Sequence, residues 1–255
     1  MSDEFSLRDL AGAQFEWVDF TGARFDHVKL VDVTIRAARV RDVEISGEVE
    51  SLRVYGIDVV PLIEAELDRR HPERTRLRPT DADGYRQAWT IIEGLWAGTV
   101  DRARQLDPAV LHEHVDGEWS FIETLRHLVF ATDAWVCRAL LGDPSPWDPL
   151  DLPWDEMRDM EGIPRDREAR PSLDEVLALR HDRMATVRRV VADLTDEQLA
   201  GSTEPVPEPG FPDSESFPVR GVLNNILNEE WWHRQFAERD LDALTAGKPG
   251  RRTEG

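Results

Sequence analysis

Two stretches decide how this chain reads: Trp119-Ser120-Phe121-Ile122-Glu123-Thr124-Leu125-Arg126-His127-Leu128-Val129 and Val222-Leu223-Asn224-Asn225-Ile226-Leu227-Asn228-Glu229-Glu230-Trp231-Trp232-His233-Arg234-Gln235-Phe236. The first opens on a capping box: Ser120 can cap a helix while Glu123, three residues on, reaches back to the amide of the cap. His127 then falls two turns into that helix, on or beside its apolar stripe. In the second stretch Leu223, Ile226 and Leu227 form an apolar stripe, and Asn225, Glu229, His233 and Phe236 form a row beside it. Positions i and i+4 share a helix face, so Glu229 and His233 can close on one ion and His127 on a facing helix can add a third ligand. Two imidazoles and a carboxylate suit a divalent transition metal, and three protein ligands leave a position open, as in catalytic zinc sites. A plainer reading also stands: a helix-surface Glu/His pair and a hydrogen-bonded core histidine.

Working outward, the apolar spacing predicts four long helices. The first is capped at Thr80 or Asp81 and carries Trp89, Ile92, Leu95, Trp96, Val100 and Ala103. The second runs from Ser120 to about Leu141. The third is capped at Ser172 and carries Val176, Leu177, Leu179, Met184, Val187 and Val191, and the last follows the Pro-rich stretch 205–218 and ends near Leu244. A 142–171 connection with Trp147, Trp154 and Met157 is too long for a hairpin between bundle helices, and is either a lid over the site or a loop pinned by its tryptophans. Glu230 is expected to pair with Arg234 on the helix surface.

With those residues in view, residues 80–245 resemble the DinB-like four-helix family, the superfamily of mycothiol-dependent maleylpyruvate isomerases and bacterial thiol S-transferases. The Trp119-Ser120 opening followed by His127, and the pattern Glu229-x-x-x-His233, carry the resemblance. The glutamate in that last pair is similar to the mycothiol-dependent isomerase branch. The resemblance implies that His127, Glu229 and His233 hold a divalent metal ion, zinc ahead of nickel or iron, with water or a substrate thiolate in the open position. It further implies a Lewis-acid role, in which a low-molecular-weight thiol is held as thiolate for attack on an electrophile, giving S-transfer or isomerisation. Asn225, His181 and Trp119 are the candidates to hold substrate or support the ligands. No residue is assigned as a catalytic acid, base or nucleophile; Cys137, the single cysteine, reads as a helix-buried thiol.

The N-terminal part has a different period. Leu10, Phe15, Phe20, Phe25, Leu30, Ile35, Val40 and Ile45 recur every fifth residue, with Ala13, Val18, Ala23, Val28, Val33, Ala38 and Val43 also five apart. Neither helix nor strand has that repeat, which resembles the pentapeptide-repeat family, a right-handed quadrilateral β-helix with the large residue toward the axis. The expected organisation is a short β-helix over 5–58, a helical linker over 59–79 containing a Pro61–Pro72 helix, the four-helix domain over 80–245 and a flexible tail over 246–255. The fold class is therefore mostly α with a short N-terminal β-helix. About two coils cannot make much of a core, so the segment is expected to serve as an appendage or a dimerisation surface.

Composition sets the outer limits. The chain has 255 residues and a formal charge of −20. Phosphate binding needs clustered Lys and Arg, so nucleic acid and anionic membranes are excluded as expected partners. No run approaches the roughly 20 apolar residues of a membrane span, and the acidic start is unlike a secretory signal, which points to a cytoplasmic protein. Two functions remain: a metal- and thiol-dependent transferase or isomerase acting on a small electrophile, possible as a homodimer, and a non-catalytic interaction scaffold that uses the repeat face.

Overall fold

Local capping chemistry starts three of the four long helices where the sequence places it. We describe a computed structural model over residues 9–25, 28–47 and 49–246. Apart from Ala246, the expected tail lies outside these residues, as do the first residues of the 5–58 segment. The Asp81 side chain accepts from the Gly84 amide and opens helix α2 (Ala82–Ala103); helix α1 (Val60–Arg70) precedes it. Ser120 and Glu123 form a complete capping box at α3 (Phe121–Thr132), and Ser172 and Glu175 do the same at α4 (Leu173–Asp193). A one-turn helix α5 (Asp196–Leu199) has a Thr195/Gln198 box, and α6 (Val219–Thr245) follows Pro218. Each box satisfies backbone amides that a helix start leaves without partners, for about 1 kcal/mol per cap.

The four long helices close a ring: α3 packs against α4 and α6, and α2 packs against the same two. Tyr85, Trp89, Ile92 and Trp96 of α2, Leu125 and Leu128 of α3, Val176 and Val187 of α4, and Leu223, Ile226 and Trp231 of α6 fill the interior. All of them are buried. This is the expected helical bundle, and it brings α3 and α6 side by side.

Two features depart from the expected helices. The second helix does not continue as α-helix to Leu141; after Thr132 it widens into a π-helix over Asp133–Leu140. No Gly or Pro marks the change. It coincides with two buried polar groups, Asp133, which takes two hydrogen bonds from Arg183 (2.5 and 2.9 Å), and Arg138, which donates to the carbonyls of Pro144 and Glu208. Glu230 does not pair with Arg234. It is buried against α4 in a two-pronged pair with Arg180 (2.8 and 2.9 Å), because it lies on the core side of α6. The short helix expected between Pro61 and Pro72 is α1, which ends at Arg70, and a separate 3-10 helix over Pro72–Leu77 then buries Leu77.

The 142–171 connection is pinned to the bundle. Trp147 and Trp154 pack on Phe130 of α3, at ring-centroid distances of 5.8 and 6.2 Å, and Trp154 also packs on Phe211. Met157 closes the same cluster.

The chain divides into two units between residues 49 and 50. In the first, a left-handed residue recurs every fifth position: Gly12, Trp17, Gly22, Asp32, Ala37, Asp42 and Gly47 all have positive φ. Each sits two residues after a large apolar one, so the sequence period is a backbone period. Adjacent large residues touch, with Phe15–Phe20 at 5.7 Å and Phe20–Phe25 at 5.9 Å. The expected β-helix does not follow from this, however. Among the described residues 9–47 there is no β-bridge, and the large residues remain about half or more exposed. The paired strands are instead β1 (Arg53–Val54) and β2 (Ile57–Asp58), a two-residue hairpin turned by Tyr55 and Gly56, both at positive φ. A coil buries its inward row only when further coils stack on it, and eight repeats supply too few. Among the described residues, no helix is long and apolar enough to cross a membrane.

Candidate metal centre

His127 occupies the middle of α3, and Glu229 and His233 occupy successive turns of α6, on the flank where the two helices meet. Glu229 Oε2 lies 3.1 Å from His233 Nε2 and 3.5 Å from His127 Nε2. One donor atom from each of the three residues lies within 4.8 Å of the others, a set that can hold a metal ion. His127 is 6% exposed, whereas the side chains of Glu229 and His233 are 28% and 19% exposed. The donors are therefore backed by the core and reachable from one side.

The tautomer of His127 is set from behind. Its Nδ1 lies 2.9 Å from the carbonyl oxygen of Leu152 in the 142–171 connection, to which only an N–H can donate. With Nδ1 carrying the proton, the neutral ring leaves the Nε2 lone pair for an ion shared with Glu229 and His233, the arrangement usual for histidine ligands. Burial lowers the His127 pKa, opposed by the hydrogen bond that a protonated Nε2 would donate to Glu229, so the ring favours the neutral form that ligation needs. Burial would raise Glu229, but hydrogen bonds and charge from His127 and His233 outweigh it and hold this carboxyl below the usual carboxylate range. Two nitrogens and an ionised oxygen make a borderline donor set that suits zinc, nickel or iron and has no thiolate to favour softer ions.

Aromatic rings wall the set. Trp119 stacks on His233 (5.8 Å, 11° between planes) and lies 4.5 Å from the His127 ring. Phe236 meets His233 edge-on at 6.0 Å. Arg239 covers Phe236 at 5.5 Å and binds Glu118, the neighbour of Trp119, at 2.7 Å, which ties the α3 approach to α6.

Of the supporting candidates, Trp119 is therefore brought to the triad. Asn225 sits one turn before Glu229 on α6, half-buried, with no hydrogen bond to the three donors among the described residues. His181 is not brought there: it is exposed on α4, because the side of α4 that faces the core is taken by Val176, Leu177 and Arg180. Cys137 is half-buried beside Asp133; burial first, then that carboxylate, push its thiol up to about 12, so it stays protonated at neutral pH. Sequence reasoning missed the Leu152 carbonyl, since a backbone acceptor in an irregular loop leaves no residue signature.

No curated protein and no solved structure matches the chain. The DinB superfamily does: its family profile matches residues 59–237, more than half of the sequence. That span takes in α1, the whole ring of helices up to Ala237 and all three donors, and on this match the chain belongs to the DinB superfamily.

Proposed function

We propose that this chain binds a divalent metal through His127, Glu229 and His233 and acts as a thiol-dependent S-transferase or isomerase. The observation that carries the reading is the convergence of the three donor atoms within 4.8 Å, with the far nitrogen of His127 already committed to Leu152. When bound, the ion supplies Lewis acidity that keeps a thiol deprotonated near neutral pH. The residues do the rest. One carboxylate and two neutral imidazoles carry a single negative charge, so the loaded site is net positive and favours an anionic thiolate over a neutral thiol. Trp119 and Phe236 exclude water from one side and offer apolar faces to the thiol or its electrophile. Cys137 is held protonated, so the nucleophilic sulfur comes from a small cosubstrate, mycothiol being the thiol of the branch whose ligand set this one resembles. Zinc is the proposed ion. Five-residue periodicity in residues 10–47 leads us to read that segment as pentapeptide-repeat-like.

Metal content by elemental mass spectrometry tests the reading, on protein purified without an affinity tag, for the native chain and for His233→Ala. About one equivalent in the native chain and little in the variant is the expected result, followed by turnover in a screen of thiols against electrophiles. A native chain that takes up no zinc, nickel or iron on reconstitution would overturn it. One observation favours a second reading, an interaction scaffold: the row from Leu10 through Phe15, Phe20 and Phe25 to Ile45 is exposed apolar surface. A metal-free chain that is unchanged by His233→Ala would leave that reading in its place.

A further inference from the structure

Arg126 precedes the ligand His127 on α3, yet its side chain turns to the 142–171 connection. It is entirely buried, and its three hydrogen bonds go to backbone carbonyls: Nε to Leu150 (2.9 Å), Nη2 to Asp166 (2.5 Å) and Nη1 to Ala169 (3.4 Å). A buried guanidinium is costly to desolvate, so a chain that keeps one on three carbonyls uses it to hold those carbonyls in place. The held segment includes the turn that presents Leu152. Within that turn the Asp148 side chain accepts from the Leu150 amide (2.9 Å), the Asp151 amide donates to the Asp148 carbonyl (2.9 Å), and Asp151 accepts from the Asp148 amide (3.2 Å). Two residues beyond Leu150, the Leu152 carbonyl accepts from His127 Nδ1 at 2.9 Å.

We infer that Arg126 is a positioning residue for the metal centre: it anchors both arms of the 142–171 connection so that the Leu152 carbonyl fixes the tautomer and ring angle of His127. The inference rests on the ligand set proposed above. Adjacent residues of α3 thus act on the same loop, one holding it and the other held by it. A histidine whose orienting acceptor is loosened typically loses 10–100-fold in metal affinity, and that is the effect expected here.

The test compares the native chain with Arg126→Gln and Arg126→Lys. Zinc affinity is read by competition with a chromophoric chelator, ligand geometry by the visible spectrum of the cobalt(II) form, and the His127 Nδ1–H by nitrogen-15 NMR of the metal-free protein. Expected are a roughly 10–100-fold weaker zinc affinity in Arg126→Gln, an altered cobalt spectrum and faster exchange of the Nδ1 proton, with Arg126→Lys between the two. A folded Arg126→Gln with native affinity and spectrum, even with a lower melting temperature, would show a merely structural arginine and overturn the inference. If Arg126→Gln does not fold, the same result in Arg126→Lys decides against it. Should the native chain take up no zinc, nickel or iron, the ligand proposal fails and the metal role of Arg126 with it; the NMR readout then separates the two, since an Nδ1 proton protected in the native chain and lost in the variant shows that Arg126 orders the His127 ring, and equal exchange in both overturns the inference on its own ground.

Discussion

Residues 9–47 and the helical unit from residue 50 onward both have strict apolar periods, yet only the helical unit buries its period. In the helices the 3.6-residue stripe of each element meets the stripes of two neighbours, and Trp89, Ile92 and Leu125 lose nearly all their exposure. In the repeat the fifth-residue row is set by the backbone itself, through left-handed residues at Gly12, Trp17, Gly22, Asp32, Ala37, Asp42 and Gly47, but the row stays open. Periodicity chooses a local conformation. Burial requires a second surface of matching shape, which four helices supply to one another and a few short coils do not.

The comparison is most open to being broken by large-to-small substitutions. Trp89→Ala should cost about 3–5 kcal/mol by urea unfolding followed at the helical signal, whereas Phe20→Ala should cost under about 0.5 kcal/mol. Equal losses would mean that the repeat also has a core. Next in size is the pair inside the helical unit. Arg180→Leu leaves Glu230 buried without its partner and should cost about 3–5 kcal/mol, much of it regained in Arg180→Met with Glu230→Leu. A surface-sized effect of a few tenths would show that the pair is solvated.

Zinc sharpens the contrast from another side. At a free concentration of 100 times its dissociation constant, zinc should stabilise the native chain by about 2.7 kcal/mol and His233→Ala not at all, as read from thermal melts with and without the ion. Acidification addresses the buried carboxylates. Burial, then the nearby Asp133, raises Asp151 well above its usual value, and one of its oxygens has no hydrogen-bond partner among the described residues. The folded state therefore keeps a proton that the unfolded state releases. Its contribution is complete below about pH 3.8 and is lost as pH rises toward the folded value, with a slope of at most roughly 1.4 kcal/mol per pH unit. Asp151→Asn should flatten that part of the stability profile; an unchanged profile would mean that Asp151 binds its proton equally well folded and unfolded. The smallest effect belongs to the repeat. Ala37 has a φ of 52°, so Ala37→Gly relieves left-handed strain and should slow amide exchange in residues 28–47 by the equivalent of under about 1 kcal/mol, leaving the helical melt unchanged.

Much of the helical unit was legible because its signals are local. The Ser120/Glu123 and Ser172/Glu175 boxes close hydrogen bonds within three residues, and the stripe on α2 from Trp89 to Ala103 names its own core face. Glu229 and His233 were legible as neighbours for the same reason, since one turn of helix fixes their separation. The Glu230–Arg180 pair was not, because both a partner one turn away and a partner 50 residues away satisfy a glutamate, and only the packing of α4 on α6 chooses. Nor was the π-helix after Thr132 legible: its widening goes with partners on α4 and in the 204–217 stretch. Counting repeats identified the five-residue period and gave too few repeats for much of a core, whereas the missing β-bridges among the described residues 9–47 were not legible.

By itself the sequence determined the helix starts, the apolar faces, the i, i+4 carboxylate–imidazole pair and the five-residue backbone repeat, all consequences of bonding and sterics within a few residues. Tertiary structure alone decided that His127 of α3 meets that pair, that Leu152 orders its ring, that Trp119 covers it and His181 does not reach it, and that the repeat stays open. Each of those depends on which surfaces meet across the chain, and a contact between residues a hundred positions apart is set by the sum of many packing choices, with no single local signal to carry it.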